Sequence, residues 1–485
     1  MSMKKDTIIG REKEIATLER MLKSSKSEFA AIYGRRRVGK SYLVEEVFKG
    51  KIVFELVGTY LKDKDDKTYK SVQLRHFYNE LIDLGFDAGG SPPENWGDAF
   101  RMLKKYLETL KNRRKVLFFD ELPWLAGPQS SQLIAELGYF WNSWANRQRN
   151  IVLIVCGSAT SWMLDNVIRD YGGLHGRLTQ MIHLLPFTLN ECSLFFKKRG
   201  FHLSKYEIAI NYMVMGGIPY YLDKLQPNMT LTENIDEIFF QNTAVHQEFK
   251  DVYTGLFASN ERYVDVVKIL SDKFYGMTRT EIMKASGISS GGTLSKIIDN
   301  LLLSDIIREY PRLGGAREER VYQLKDFFTL FYFNFLGDKG LQHNGNWKSI
   351  QRTAHFFTWA GNTFELLVTQ HIPQLADALR IATVTKSFCY RGKTPDGNGA
   401  QIDLVLQWAG ERTDYLCEIK FCENNFTFNA DYQRNILNKL DAFMNSKHHK
   451  DTHSVQLVLV TTMGLNKNEY STSINQVVNF DGLFR

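Results

Sequence analysis

The sequence predicts an α/β multidomain protein, and three observations carry that reading. Short apolar runs alternate with helical patterns over the first 190 residues. A glycine-rich loop follows the first of these runs, and a second region of mixed strands and helices begins near residue 355. At 485 residues the chain is long enough for roughly three domains of about 150 residues. A hydrophobic fraction of 44% with 24% charged residues is that of globular chains, which excludes a disordered or collagen-like one.

Phe29–Tyr33, Ile52–Val57, Val116–Phe119, Ile151–Cys156 and Met181–Leu185 read as five short buried strands. The segments between them suit crossover helices, so the expectation is a parallel sheet covered on both faces. Even runs such as Ile151–Cys156 are too short to cross a bilayer. The N-terminus, with Lys4, Lys5 and Asp6, lacks the apolar core of a signal peptide. Five cysteines without a C-x-x-C pair read as free thiols of a reducing compartment, so the expected location is the cytoplasm. The balance of 61 Lys+Arg against 54 Asp+Glu, a net of +7, does not announce a nucleic-acid binder. The dense basic segment Arg101–Lys115, which includes Arg113 and Arg114, reads as a solvated helix face.

Chemistry first enters at Gly34-Arg35-Arg36-Arg37-Val38-Gly39-Lys40-Ser41, which matches G-x-x-x-x-G-K-[ST] directly after a strand. Glycines let such a loop wrap phosphate oxygens, and the following helix N-terminus presents N–H donors. Lys40 is placed to reach the terminal phosphates and the Ser41 hydroxyl to hold Mg2+, so the expected cofactors are ATP and Mg2+. The run Val116–Phe119 ends in Asp120 and Glu121. Asp120 is expected in the Mg2+ shell, with Glu121 as the base that orients and deprotonates the attacking water. Ser158, at the tip of Ile151–Cys156, reads either as a γ-phosphate sensor or as a helix N-cap. Arg177, after Gly172-Gly173-Leu174-His175-Gly176, reads either as an arginine finger, in its own chain or a neighbour's, or as a structural ion pair.

Tyr33–Lys40 resembles the phosphate loop of the prokaryotic ATPases often called the archaeal ATPase family, which is of the AAA+ class and similar to the STAND signalling ATPases. Ile8-Ile9-Gly10-Arg11-Glu12 resembles the box that in such proteins lies near adenine, which assigns Gly10 and Arg11 to nucleotide binding. Met215-Gly216-Gly217-Ile218-Pro219-Tyr220 resembles the G-x-P element of their helical lid, which adds Pro219. The resemblance implies a P-loop core over residues 1–190, a helical lid over 191–260, a winged helix over 261–335 and a restriction-endonuclease-like domain over 336–485.

The winged-helix expectation also rests on the residues themselves. Tyr263–Phe274, Arg279–Ser286 and Ser289–Leu303 read as three helices, followed by Ile306–Tyr310 and Val321–Leu324 around Gly314-Gly315. The third helix offers Lys296 as its one cation, beside Asp299, with Ser289, Ser290, Thr293 and Ser295. In the wing, Arg308, Arg312, Arg317 and Arg320 stand against Glu309, Glu318 and Glu319, four cations less three acids. Those values favour a structural or protein-contact module over a sequence reader. The aromatic cluster from Phe327 to Phe335 reads as core.

Near the C-terminus, Ala400–Trp408 and Tyr415–Phe421 read as a hairpin turning at Gly410-Glu411. That turn pairs residues whose numbers sum to 821, so Asp403 faces Glu418 and Gln401 faces Lys420. Glu418 and Lys420, two apart, share a face. The pattern resembles the PD-(D/E)-x-K nuclease signature, with Gln401-Ile402 where the name has Pro. Carried over, Asp403 and Glu418 would ligate Mg2+ and Lys420 would hold the attacking water. Glu365, on the expected helix Gly361–His371, would be the additional acid. A strand near Arg380–Phe388, a helix Asp431–Asn445 and a strand Ser454–Thr461 complete the expected domain.

The leading expectation is an ATP-binding and ATP-hydrolysing protein whose nucleotide switch is coupled to a Mg2+-dependent, nuclease-like domain acting on DNA or RNA. The alternatives are a nucleotide-switched scaffold or regulator that binds without cleavage, and a transcription regulator built on the winged helix. The expected partners are nucleic acid at the C-terminal domain and a second copy or another protein, with no membrane.

Overall fold

The computed structural model describes residues 8–61, 65–111, 114–127, 131–168, 174, 176–241, 248–249, 252–253, 261–288, 291–314, 318–337 and 346–484. Lys4, Lys5, Asp6, Arg113, Gly172, Gly173, His175, Ser289, Ser290, Gly315 and Arg317 lie outside the described residues. The described residues up to Pro186 form one compact unit, and those from Phe187 onward form a second.

The first unit is built on β1 (Glu28–Tyr33), β2 (Ile52–Val57), β3 (Lys115–Asp120), β4 (Ile151–Gly157) and β5 (Gln180–His183). Their order is β2-β3-β4-β1-β5, and every neighbouring pair is parallel. β3 and β4 are buried along their whole length, as strands covered on both faces must be. Helices Asp66–Asp83 and Trp96–Thr109 start where Asp65 and Asn95 accept from backbone N–H groups three residues on. Their Phe77 and Phe100 meet Phe54 of β2 and Phe119 of β3 in one aromatic core. Part of the basic segment is spent locally, while Lys105 and Lys111 are exposed. Arg101 pairs with Asp98, Arg114 donates to the Met21 and Arg149 carbonyls, and the buried Lys115 ammonium donates to the Leu107 carbonyl at 2.6 Å.

The second unit opens with helices Leu189–Lys198, Lys205–Met215 and Leu231–Ile235. Each starts with a reciprocal Ser/Thr-x-x-Glu cap, Thr188 with Glu191, Ser204 with Glu207 and Thr230 with Glu233. Gly216 ends the second of these helices in the left-handed region at φ 70°. A Cβ on Gly217 would stand 2.4 Å from the Phe187 carbonyl oxygen, so the pair of glycines is sterically required. Pro219 then occupies the first turn of Pro219–Leu222.

Next come helix Glu261–Ser271, β6 (Met277–Thr278), helices Arg279–Ser286 and Gly292–Leu303, β7 (Ile307–Leu313) and β8 (Glu319–Leu324). Phe327, Phe328, Phe331 and Phe335 are buried, and Phe331 and Phe335 pack on Trp347 and Trp359. Helix Ala354–Gln370 is longer than the expected Gly361–His371, because Thr353 caps it one residue before Ala354. Helix Ile372–Ala378 follows, then β9 (Lys386–Lys393), β10 (Gly399–Trp408), β11 (Thr413–Lys420), β12 (Phe426–Thr427), helix Ala430–Met444, β13 (Ser454–Thr461), β14 (Leu465–Asn466) and β15 (Gln476–Asn479).

Eight of these strands form one sheet in the order β15-β13-β11-β10-β9-β7-β8-β6. The segments expected as separate modules on either side of residue 335 therefore share a sheet. The joint is the parallel pair β7–β9, with Arg312 opposite Cys389 and Leu313 opposite Tyr390. Gly314 makes the joint possible. At φ 112° its Cβ would lie 2.2 Å from the Arg391 carbonyl oxygen.

Two local expectations need correction. The strand placed near Arg380–Phe388 begins only at Lys386, because Arg380, at φ 59°, belongs to the turn that ends helix Ile372–Ala378. The hairpin turn is a four-residue loop, 409–412, in which Arg412 rather than Gly410 takes the left-handed conformation. The loop is centred where the two-residue turn was placed, so the register survives. Leu404 faces Cys417 and Trp408 faces Thr413, each pair summing to 821.

Burial also leaves a titratable group in the core of this unit. The His371 Nδ1–H donates to the Leu367 carbonyl at 2.9 Å, and its Nε2 accepts from the Leu189 N–H. Burial pushes the imidazole down to about 4. The folded protein then binds this proton more weakly than the unfolded chain, so stability is present above the ordinary 6.5 and is lost as pH falls toward 4. Denaturant titrations should show this unit weakened by about 3 kcal/mol between pH 7 and pH 4 beyond what a His371→Gln variant loses. Parallel pH profiles of the two proteins would refute the assignment.

Candidate functional site

The first cluster forms where β1 runs into the loop 34–39 and helix Lys40–Val47. The loop is shaped by its two glycines. Gly34 sits at φ 144°, where a Cβ would collide with the Leu184 carbonyl oxygen at 2.3 Å. Gly39 sits at φ 90° with nothing within 4 Å of where its Cβ would be, so the loop's inner wall stays open at the helix N-terminus. Lys40 is buried and its ammonium donates to the Gly34 and Arg35 carbonyls, both at 3.1 Å. Burial lowers its affinity for the proton, opposed chiefly by the nearby Glu121.

Ser41 and Asp120 meet across this cluster, the hydroxyl donating to Oδ2 at 2.5 Å. A hydroxyl and a carboxylate brought together beside an anion-shaped loop fit an octahedral oxygen-preferring cation such as Mg2+. Glu121, in the left-handed region at φ 47°, turns away from the strand axis. Its Oε2 accepts from the Ser158 hydroxyl at 2.9 Å and the Ser158 N–H at 3.3 Å. Ser158 thus caps no helix, since it is spent on the expected base. Arg11, also left-handed, is buried and donates to the Val38 carbonyl at 3.4 Å, tying the Gly10-Arg11 box to the phosphate loop. Arg177 is exposed, and no ion pair holds it among the described residues, so the structural ion-pair reading is not realised there. Pro219 belongs to the second unit. Sequence reasoning missed Cys156, at the end of β4, whose buried thiol lies in the field of Asp120, Lys40 and Glu121.

The second cluster lies on the eight-stranded sheet. Asp403 of β10 and Glu418 of β11 are buried, and helix Ala354–Gln370 brings Glu365 to them. Burial, then the charge of Glu418, pushes Asp403 up to about 6. Burial, then Asp403, holds the Glu365 carboxyl well above the usual carboxylate range. The Asp403 Oδ2 accepts from the Ile419 N–H at 2.9 Å. Its other oxygen and the Glu365 carboxylate carry no hydrogen bond or ion pair among the described residues.

Glu418 behaves differently. It pairs with Lys420 at 2.9 Å and Lys439 at 2.7 Å, and accepts from the Tyr432 hydroxyl at 2.5 Å. Burial would raise this carboxyl, but Lys439 and Lys420 outweigh it and leave it below its ordinary value. The expected three-acid metal set is therefore not arranged as one. Among the described residues no three His, Cys, Asp or Glu side chains are grouped so as to hold a metal ion, and two ammonium groups already neutralise Glu418. Sequence reasoning missed Lys439 and Tyr432, which helix Ala430–Met444 brings back over β11, and Arg308. Arg308 was expected as a wing cation; it is half-buried, holds Gln323 at 2.7 Å and faces Tyr310 and Glu365.

Residues 8–225 match the sequence profile of the family described as an ATPase domain predominantly from Archaea. An uncharacterized protein of Methanocaldococcus jannaschii is 25% identical over 339 residues, which are 68% of this chain and 68% of that protein. The Walker-type ATPase of Pyrococcus abyssi is similar over 68% of this chain and 97% of its own, at 18% identity and a TM-score of 0.49. The ORC2 protein of Aeropyrum pernix, in its ADPNP–ADP complexes, is similar over 68% of this chain and 95% of its own, at 14% identity and a TM-score of 0.41. No helix among the described residues is long and apolar enough to cross a membrane. Residues 8–225 match an ATPase domain, and the chain is an ATPase that binds ATP.

Proposed function

We propose that this ATPase is coupled to a phosphodiester-cleaving domain formed by the C-terminal sheet, with a winged helix over residues 261–335 joined to that sheet. In the ATPase, the N–H groups at Gly39 and Lys40 would bind the phosphates and the Lys40 ammonium would offset their charge. Ser41 and Asp120 would hold Mg2+, which would neutralise charge building on the phosphate oxygens. Glu121 would orient the water and take its proton once released from Ser158. Arg177 would bring a further positive charge, in its own chain or a neighbour's.

The observation that carries the second activity is the convergence of Glu365, Asp403, Glu418 and Lys420 from one helix and two strands. Two of the acids keep free oxygens in a buried, mutually repelling arrangement, which is costly unless a cation is taken up. One or two carboxylates are what a Mg2+ ion needs when phosphate supplies further ligands. Asp403 and Glu365 would hold it, and it would supply Lewis-acid stabilisation at the scissile phosphate. Glu418 would fix the Lys420 ammonium beside that phosphate rather than ligate metal.

The scaffold reading has its own support in the same place. A glutamate neutralised by two lysines and a tyrosine is a stable structural cluster that needs no metal. A transcription regulator is disfavoured, because Arg312 pairs with Glu319, Arg320 with Glu309, and Arg308 is half-buried and donates to Gln323. The deciding experiment incubates the purified chain with labelled single- and double-stranded DNA and RNA, with and without Mg2+ and ATP. Mg2+-dependent cutting supports the proposal, and its absence on all four substrates selects the scaffold.

A further inference from the structure

A cleft of about 650 Å3 opens in the second unit between the turn 272–277, helix Arg279–Ser286 and strands β7 and β9. It exists because β7 and β9 share a sheet. Lys273, Lys284, Arg312 and Arg391 line it against Asp272 and Glu281. Glu281 is already committed, accepting from the Thr278 N–H and hydroxyl in a capping box. Arg312 is held by Glu319 at 2.6 Å. The cleft wall also carries Phe274 and Tyr275, their ring centres 5.2 Å apart, with the Arg391 guanidinium 5.9 Å from the centre of the Tyr275 ring.

Side chains of β9 and β10 run from the cleft toward the acidic cluster. Arg391 faces Gln401 across β9 and β10 and donates to its Oε1 at 2.8 Å. Gln401 stands two residues before Asp403 on the same strand. The Tyr275 phenol is raised to about 12, first by burial and then by Glu365 and Asp403, which puts it within their field. On the β7 side, Arg312 lies opposite Cys389, another neighbour of Glu365 and Asp403.

We infer that this cleft seats a single nucleic-acid strand, one or two nucleotides long within it, whose neighbouring phosphate lies at Asp403 and Glu365. The inference rests on the phosphodiester reading of that cluster. The excess of cations is complementary to a phosphate backbone, and the Tyr275 ring, set edge to face with Phe274 and beside the Arg391 guanidinium, offers one aromatic face on which a base stacks without regard to sequence. The cleft is built by both the three-helix segment and the C-terminal sheet, so the winged-helix portion contributes substrate contacts without reading base pairs.

The test measures binding of a fluorescent oligothymidylate, and of a duplex of equal length, to the full chain by anisotropy in EDTA over a range of salt. Single strand is expected to bind more tightly than duplex. Lys284→Ala and Arg391→Ala should each weaken it roughly tenfold and flatten the salt dependence by about 0.7 in log–log slope per lost phosphate contact. Tyr275→Ala should weaken it by roughly 5- to 100-fold while Tyr275→Phe, which keeps the ring, stays near wild type. Unchanged affinity and slope in the Lys284 and Arg391 variants overturns the cleft, even if Asp403 proves essential for cutting. Weakened binding in those variants of a protein that never cuts upholds the cleft and defeats the cleavage reading instead. Preference for duplex, or no binding by the wild type, also overturns it. Lys284 is exposed, so its replacement leaves the fold intact.

Discussion

Replacing Lys40 by alanine is expected to lower ATP turnover at least ~100-fold and to abolish most ATP affinity. The ammonium does two things in this structure. It neutralises a loop whose N–H groups gather phosphate charge, and it closes that loop on itself by donating to the Gly34 and Arg35 carbonyls. Alanine removes both, leaving two carbonyls without a donor at the place where phosphate must sit. The proper contrast is Glu121→Gln, which keeps the acceptor for Ser158 but cannot take a proton from water. That variant should bind ATP as well as the wild type and turn it over slowly. Binding is measured by calorimetry and turnover by phosphate release. Lys40→Ala with wild-type affinity, or Glu121→Gln with wild-type turnover, would show the roles misassigned.

How much of this was legible before the coordinates depends on the range over which each signal acts. The phosphate loop was legible because its chemistry is contiguous: a strand, two glycines at fixed spacing, a lysine and a hydroxyl. The hairpin register was legible because antiparallel pairing is arithmetic once the centre of the turn is known, and it held even though the turn was two residues longer than expected. What stayed hidden came from distant chain segments. Lys439 and Tyr432 reach Glu418 only because helix Ala430–Met444 folds back over β11. Arg308 looked like a wing cation because its partners, Gln323 on the neighbouring strand and the Tyr310 ring, leave no mark in the local sequence. The pairing of β7 with β9, which fuses two expected modules into one sheet, joins residues 77 positions apart and left no local mark.

Asp403→Asn is expected to abolish Mg2+-dependent cleavage while leaving ATPase activity intact. Asparagine keeps the size of the side chain and an oxygen for the Ile419 N–H, so the hairpin should hold its shape. What it removes is the charge. In the wild type Asp403 is raised from 3.8 to about 6 by burial and by Glu418, so the folded protein holds this proton more tightly than the unfolded chain does. The sign follows: the repulsive cost is absent below about pH 4, grows as pH rises and is fully present above about pH 6, where it reaches up to about 3 kcal/mol. Without Mg2+ at pH 7, Asp403→Asn should therefore melt at a higher temperature than the wild type. Adding Mg2+ should stabilise the wild type, because a cation relieves the Asp403–Glu365 repulsion, and should leave the variant where it was. Glu418→Gln should do the opposite, lowering the melting temperature with or without metal, because it leaves the Lys420 and Lys439 ammonium groups without their shared partner. Equal response of wild type and Asp403→Asn to Mg2+ would remove the metal from this site. A Mg2+ response confined to the wild type, with no cleavage of any strand, would leave the cluster as a metal-stabilised scaffold.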